Sequence, residues 1–248
     1  MERNIVEFKN FYDKVNKKYE MFFKQLIEEL YNEKGLNPFV FNKDLEDINL
    51  SKVKYILVGD NPGYKEQKAG RYLIGDAGKN ARDFFENEGL INDFNKEVLV
   101  LNKTFLFTKI TDDLDVIYYN NELEVEHRNC MRKIEEFMAK LIFSIHTAYP
   151  NIQPVIIGFA GCRNGNEWLR TTKDQEFFLE QNTLPYFFSK LRKLYNASPL
   201  TKPLILKHFS RKHFITDYND HKNDTQTTLE TLSTISKIYS KGLFEESV

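Results

Sequence analysis

The chain has 248 residues, 41% of them hydrophobic, enough apolar material for one substantial core. Its 35 basic residues offset 36 acidic ones for a formal net charge of -1, so no global positive field draws it to nucleic acid or an anionic membrane, and a polyanion would have to meet a local patch. Cys130 and Cys162 are too far apart for a disulfide framework or a zinc spacing and read as buried structural thiols, while the lack of any long apolar run predicts a soluble cytoplasmic protein with no membrane partner.

Phe8, Phe11, Val15, Tyr19, Phe22, Leu26 and Leu30 recur at three- and four-residue steps, which predicts a long amphipathic helix ending before Gly35. Four short apolar runs then read as buried parallel strands: Val53 to Val58, Val98 to Leu101, Pro154 to Ile157 and Leu204 to Leu206. Helical patterns follow them, over Ala77 to Glu88, Val125 to Thr147, Leu184 to Tyr195 and Thr225 to Tyr239. The acidic stretch Asp112 to Glu126 and the polar run RNGNEWLRTTKDQE after the third strand read as surface loops. Strand and helix alternation of this kind predicts a three-layer α/β/α sandwich around a mainly parallel four-stranded sheet. It forms a single domain, 1–248, with an N-terminal helical extension over about 1–50. Ligands are expected at the carboxyl ends of the strands.

Polar residues and glycines stand at each of those ends. The first strand runs into Gly59-Asp60-Asn61-Pro62-Gly63, the second into Asn102, the third into Gly158, and the fourth into His208-Phe209-Ser210. The spacing G-D-x-P-G-x-x-E-x-x-x-G-x-x-x-x-G-x-A-G from Gly59 to Gly78 resembles the first motif of the uracil-DNA glycosylase superfamily, above all its iron-sulfur-containing bacterial and archaeal branch. The resemblance extends to the strand VLVLN ending in Asn102 and to His208-Phe209-Ser210, where the family usually has His-Pro-Ser.

This resemblance implies hydrolysis of the N-glycosidic bond of uracil or a related damaged base in DNA, by a monomer with no metal or other cofactor. Asp60 would activate the water or stabilise the sugar cation, and His208 would donate a hydrogen bond to the leaving base. Asn102 would read the base edge, with Gly59 and Gly63 near the base. Asn61 either helps to position the water or forms an Asx turn. Gly63, Gly70, Gly75 and Gly78 would let backbone N-H groups approach the base and a phosphate, and Asp76 would cap the following helix. Lys65, Lys68, Arg71, Lys79 and Arg82, with Ser210, Arg211, Lys212 and His213, form either a local DNA-binding patch or a solvated face. His127 and His146 fall in the predicted long helix and are discounted as rivals of His208.

The chain departs from the family in several places. Two separated cysteines cannot hold the four-cysteine cluster of the iron-sulfur branch, so no cluster is expected. Leu73 stands where the family usually stacks a Phe on the base; it either covers the base by apolar contact or yields that role to Tyr72 or Tyr64. Phe214 would serve as a duplex wedge, or the protein prefers single strands. These departures favour, as the alternative, a non-catalytic protein of the same fold that binds a nucleobase or nucleic acid. A nucleotide-dependent enzyme ranks lower, because the segment matches neither G-x-x-x-x-G-K-[ST] nor G-x-G-x-x-G.

Overall fold

The first amphipathic stripe produces α1 (Arg3–Tyr31), which buries Ile5, Phe8, Val15, Phe23 and Ile27 and ends at Asn32 in the left-handed conformation (φ 48°). Asn is one of the few side chains that accept this cap geometry readily. The structure is a computed structural model and describes residues 2–120, 123–158, 184–209, 213–240 and 243–244. The apolar face of α1 joins the central core: Phe11 stacks on Phe137 with ring centroids 4.0 Å apart, and Phe8 packs against Phe41 and Phe105. The helix expected as an extension is thus packed into the main body of the fold.

The four apolar runs form β1 (Tyr55–Gly59), β2 (Val98–Asn102), β3 (Gln153–Ile157) and β4 (Leu204–Leu206). Every residue of β1, β2 and β4 is buried, which explains why their sequences read as continuous apolar runs without alternation. All pairings are parallel and the strand order is β2-β1-β3-β4, the centre of a three-layer α/β/α sandwich. Between β1 and β2 lie α2 (Tyr64–Ala69), α3 (Asp76–Asn87) and α4 (Phe94–Glu97); between β2 and β3 lie α5 (Asp113–Tyr118) and α6 (Val125–Ala148). A helix α7 (Pro185–Asn196) precedes β4, and α8 (His213–His221) and α9 (Thr228–Tyr239) follow it.

The chain leaves β1 toward one edge of the sheet and leaves β3 toward the other. Connections therefore diverge between these two adjacent strands, and a crevice opens at their carboxyl ends. Several local expectations are corrected. The stretch read as an acidic loop contains α5, because Leu114 and Ile117 bury one side of it. Asp76 is the first residue of α3, whose N-cap is Gly75. The polar run after β3 lies outside the described residues, as do Cys162, Ser210, Arg211 and Lys212. Cys130 is buried on α6, where burial pushes its thiol up to about 12, which keeps it protonated and unreactive. Among the described residues no helix is long and apolar enough to cross a membrane.

Candidate active site

Parallel register determines what meets at the sheet rim. Gly59 pairs with Asn102, so the next residues of the two strands, Asp60 and Lys103, emerge side by side. A Cβ on Gly59 would stand 2.6 Å from Oδ1 of Asn102, and a Cβ on Gly158 would stand 2.6 Å from Oδ2 of Asp60. Glycine at these two positions makes room for the two polar side chains. Gly158 also has φ +86°, a conformation that other residues adopt only with strain.

Asp60, Asn102 and His208, from the ends of three different strands, line one cavity of about 400 Å³. Leu73, Gly59, Gly63, Gly75 and Gly78 line it as well. Asn102 is 2% exposed, and its amide nitrogen is buried with no hydrogen-bond partner in the protein. Buried polar groups are normally satisfied, so an orphaned amide facing a cavity is a ready donor for a ligand carbonyl. His208 is held below the usual histidine range by burial, opposed by the Asp60 carboxylate and reinforced by the Lys103 charge. At neutral pH it is therefore an uncharged imidazole.

Lys103, which the sequence reading passed over, is fully buried. Its ammonium donates to Oδ1 of Asp60, to the Ile157 carbonyl at 2.8 Å and to the Gly158 carbonyl at 3.2 Å. Burial pushes its pKa down, and Asp60 opposes that shift through its charge and its hydrogen bond. Phe188 of α7 covers the ammonium, its ring centroid 5.4 Å away. The backbone N-H of Lys103 also reaches the Gly59 and Asp60 carbonyls, at 2.9 and 3.1 Å. One signal was available in the sequence: Lys103 directly follows a buried parallel strand, where ligand sites concentrate.

Asn61 lines the cavity, but its amide is already occupied. Nδ2 donates to the Pro62 carbonyl, the Thr108 carbonyl and Thr108 Oγ1 at 3.1, 3.2 and 2.8 Å, and Oδ1 accepts from Thr111 Oγ1 at 2.9 Å. Asn61 thus braces the 108–111 wall, which is also tied to α1 and to the turn after it. Lys109 pairs with Glu33 at 2.6 Å, and its backbone N-H donates to the Tyr31 hydroxyl at 2.7 Å. Ile110 stands 62% exposed at the cavity mouth.

Glu66, the acidic residue within the glycine-rich motif, fixes the opposite wall. Its carboxylate accepts from the Gly63 N-H at 2.6 Å and from the Leu73 N-H, and burial pushes its pKa up while the N-H groups of Gly63, Leu73 and Ile74 oppose the shift. This clamp holds Leu73 at φ 53°, with its side chain on the cavity. Leu73 thus contributes an apolar residue to the cavity lining.

Other expectations are corrected. Tyr72 is 1% exposed, donates its hydroxyl to the Val40 carbonyl at 2.5 Å, and faces away from the cavity, so it cannot stack on a ligand there. Tyr64, by contrast, lines the cavity. Phe214 is fully buried against Phe84 and Phe209, at 4.7 and 4.0 Å between centroids, which rules it out as a wedge. The Gly63 N-H is consumed by Glu66, and Gly70 turns α2 toward Lys43. A Cβ on Gly78 would fall 1.6 Å from the Leu73 carbonyl oxygen, so this glycine serves close packing of α3 on the Leu73 turn.

The basic residues divide. Arg71 pairs with Asp44 at 2.8 Å, and Arg82 donates to the Leu73 carbonyl at 3.2 Å; both face a second cavity of about 370 Å³. Lys65 and Lys109 line the first, while Lys79 is exposed on α3 but does not line it. His127, half-buried, stacks on Phe22 at 3.4 Å, and Nδ1 of the buried His146 is 2.9 Å from the Tyr195 hydroxyl, so neither lines the cavity. Among the described residues there is no group of three or more side chains suited to a metal ion.

No family model and no curated protein matches this chain.

Proposed function

We propose that the chain hydrolyses the N-glycosidic bond of uracil or a related damaged base in DNA. The observation that carries this reading is the convergence of Asp60, Asn102 and His208 from separate strand ends on one cavity, with the Asn102 amide nitrogen buried there unsatisfied. The motif resemblance from Gly59 to Gly78 supports it independently. Asp60 activates the attacking water or places negative charge beside the sugar cation. His208, neutral at physiological pH, donates to the departing base oxygen as negative charge develops on it. The Asn102 amide donates to the uracil O4 and accepts from N3-H; cytosine presents the opposite pattern. Leu73 covers the base face, and Asn61 acts only by holding the 108–111 wall. Lys65 and Lys109 lie at the mouth for the phosphates.

The decisive experiment incubates the protein with labelled single- and double-stranded oligonucleotides bearing uracil, hypoxanthine or a G:T mismatch, followed by alkali to cut abasic sites. Asp60→Ala serves as the control, and Asn102→Asp as the test of base reading. Product from uracil that vanishes in Asp60→Ala, together with reduced selectivity in Asn102→Asp, is the expected result. Unchanged activity in both variants refutes the residue assignment.

One observation favours a second reading, a protein that binds a nucleobase without cleaving its bond. The Lys103 ammonium occupies Oδ1 of the carboxylate that the hydrolytic reading uses as base. A thermal shift with uracil or abasic DNA, and no base release from any oligonucleotide, would select this reading.

A further inference from the structure

We propose that Lys103 is the positioning residue of this site, its buried ammonium orienting the Asp60 carboxylate toward the cavity and supplying its counter-charge. The inference rests on the hydrolytic reading for its kinetic consequence and on geometry alone for the placement of Asp60. Lys103 draws together the ends of three strands. It leaves the end of β2, holds the carboxylate that follows β1, and donates to the carbonyls of Ile157 and Gly158 at the end of β3. An ammonium has three N-H donors, and the three acceptors account for all of them. The side chain is 0% exposed and Asp60 is 12% exposed, so neither water nor salt screens the pair appreciably.

A lysine in this position has little freedom. Its own backbone N-H is tied to the Gly59 and Asp60 carbonyls, and the Phe188 ring lies over its ammonium. Gly158 completes the seat, because any side chain there would collide with the Asp60 oxygens. The carboxylate is thus located by three strand ends acting together. Preorganisation of this kind is what a group acting on a water or a sugar cation requires. The other charged or titratable groups around the pair are His208 after β4, Glu66 on α2, Asp76 at the start of α3, and Lys65 and Lys109 on the cavity wall. The ammonium of Lys103 is in direct ion-pair contact with Asp60.

The test uses full-length protein carrying Lys103→Met, which removes charge and donors, and Lys103→Gln, which removes the charge but keeps donors. Base release from the uracil oligonucleotide is followed in steady state, and the unfolding midpoints of wild type, Asp60→Asn, Lys103→Met and the double variant Asp60→Asn/Lys103→Met are compared. In Lys103→Met, kcat should fall about tenfold or more with KM nearly unchanged, since a displaced base affects the chemical step, and Lys103→Gln, which keeps donors, should recover part of that loss. The double variant should unfold at a higher denaturant concentration than either single variant, because it leaves no buried charge unpaired. An unchanged kcat, or single-variant stability losses that simply add in the double variant, would reduce Lys103 to a packing residue and overturn the proposal. If the wild-type protein releases no base, the hydrolytic reading fails while the unfolding cycle still decides whether Lys103 supports Asp60. Should Lys103→Met fail to fold, the double variant Asp60→Asn/Lys103→Met must fold for the proposal to stand, because it leaves no buried charge unpaired; an unfolded double variant overturns it.

Discussion

Asp60 and Glu135 are both carboxylates largely withdrawn from water, and the chain accommodates them in opposite ways. Asp60, at the sheet rim, takes an ammonium as its partner. Glu135, 2% exposed on α6, has no ion pair with a cation among the described residues; Oε2 accepts from the backbone N-H groups of Tyr186 and Phe187 at 2.9 and 3.1 Å. Those N-H groups open α7, whose own N-cap residue, Leu184, has no side-chain acceptor to offer. Burial pushes the Glu135 carboxyl up to about 8 despite the two N-H donors, so it is mostly protonated at neutral pH. One acid is held as half of an ion pair on a cavity, where charge can act on a ligand. The other is a neutral clamp between two helices. Burial alone therefore does not distinguish an acid that faces a ligand cavity from one that clamps two helices; the surrounding groups do.

Replacing each carboxylate by its amide separates the two most sharply. Asp60→Asn leaves the Lys103 charge buried without a counter-charge and should cost roughly 3 kcal/mol at pH 7 in chemical denaturation; under the proposed hydrolytic function it should also abolish base release. A loss below about 1 kcal/mol would mean that the ion pair is not a significant support. Gly158→Ala attacks the same seat from β3 and should cost about 2 kcal/mol, since a Cβ meets the carboxylate oxygens and the backbone sits at φ +86°. Activity should fall with it, because Asp60 must move.

Glu135→Gln should show the opposite sign. The folded-state carboxyl titrates near 8 against about 4.5 when unfolded, so wild-type stability is greatest below the unfolded value and falls as pH rises through that window. The Gln variant lacks this dependence. It should match wild type near pH 4.5 and gain on it by up to about 1.4 kcal/mol per pH unit toward pH 8. Parallel stability curves for the two proteins across that range would contradict a protonated Glu135. The smallest effect should come from Arg71→Ala, which removes an exposed pair with Asp44 and should change stability by less than about 0.5 kcal/mol. A larger loss would show that the second cavity depends on this pair.

Much of the fold was legible because its signals are local. Tyr55 to Val58 is apolar at every position, as a strand buried on both faces must be, and α1 carries its helical period openly. Asp60, Asn102 and His208 could be brought to one rim from the sequence, since parallel strands all end on the same side. The misreadings share a different character. Tyr72 and Phe214 look like available aromatics until the surfaces they pack against are known, and the Asn61 amide looks free until Thr108 and Thr111 fold onto it.

The sequence by itself determined the strands, the main helices and the set of polar residues at the strand ends, because periodicity and turn chemistry act over a few neighbouring residues. Only the tertiary structure decided which polar groups were already taken. Lys103 follows an apolar strand and carries no local sign of burial; that burial is tolerable only because Asp60, 43 residues earlier, and two carbonyls of β3 and the residue after it, over 50 residues later, surround its ammonium. The stability of a buried charge depends on the partners that the strand register brings beside it, and those partners are distant in the chain.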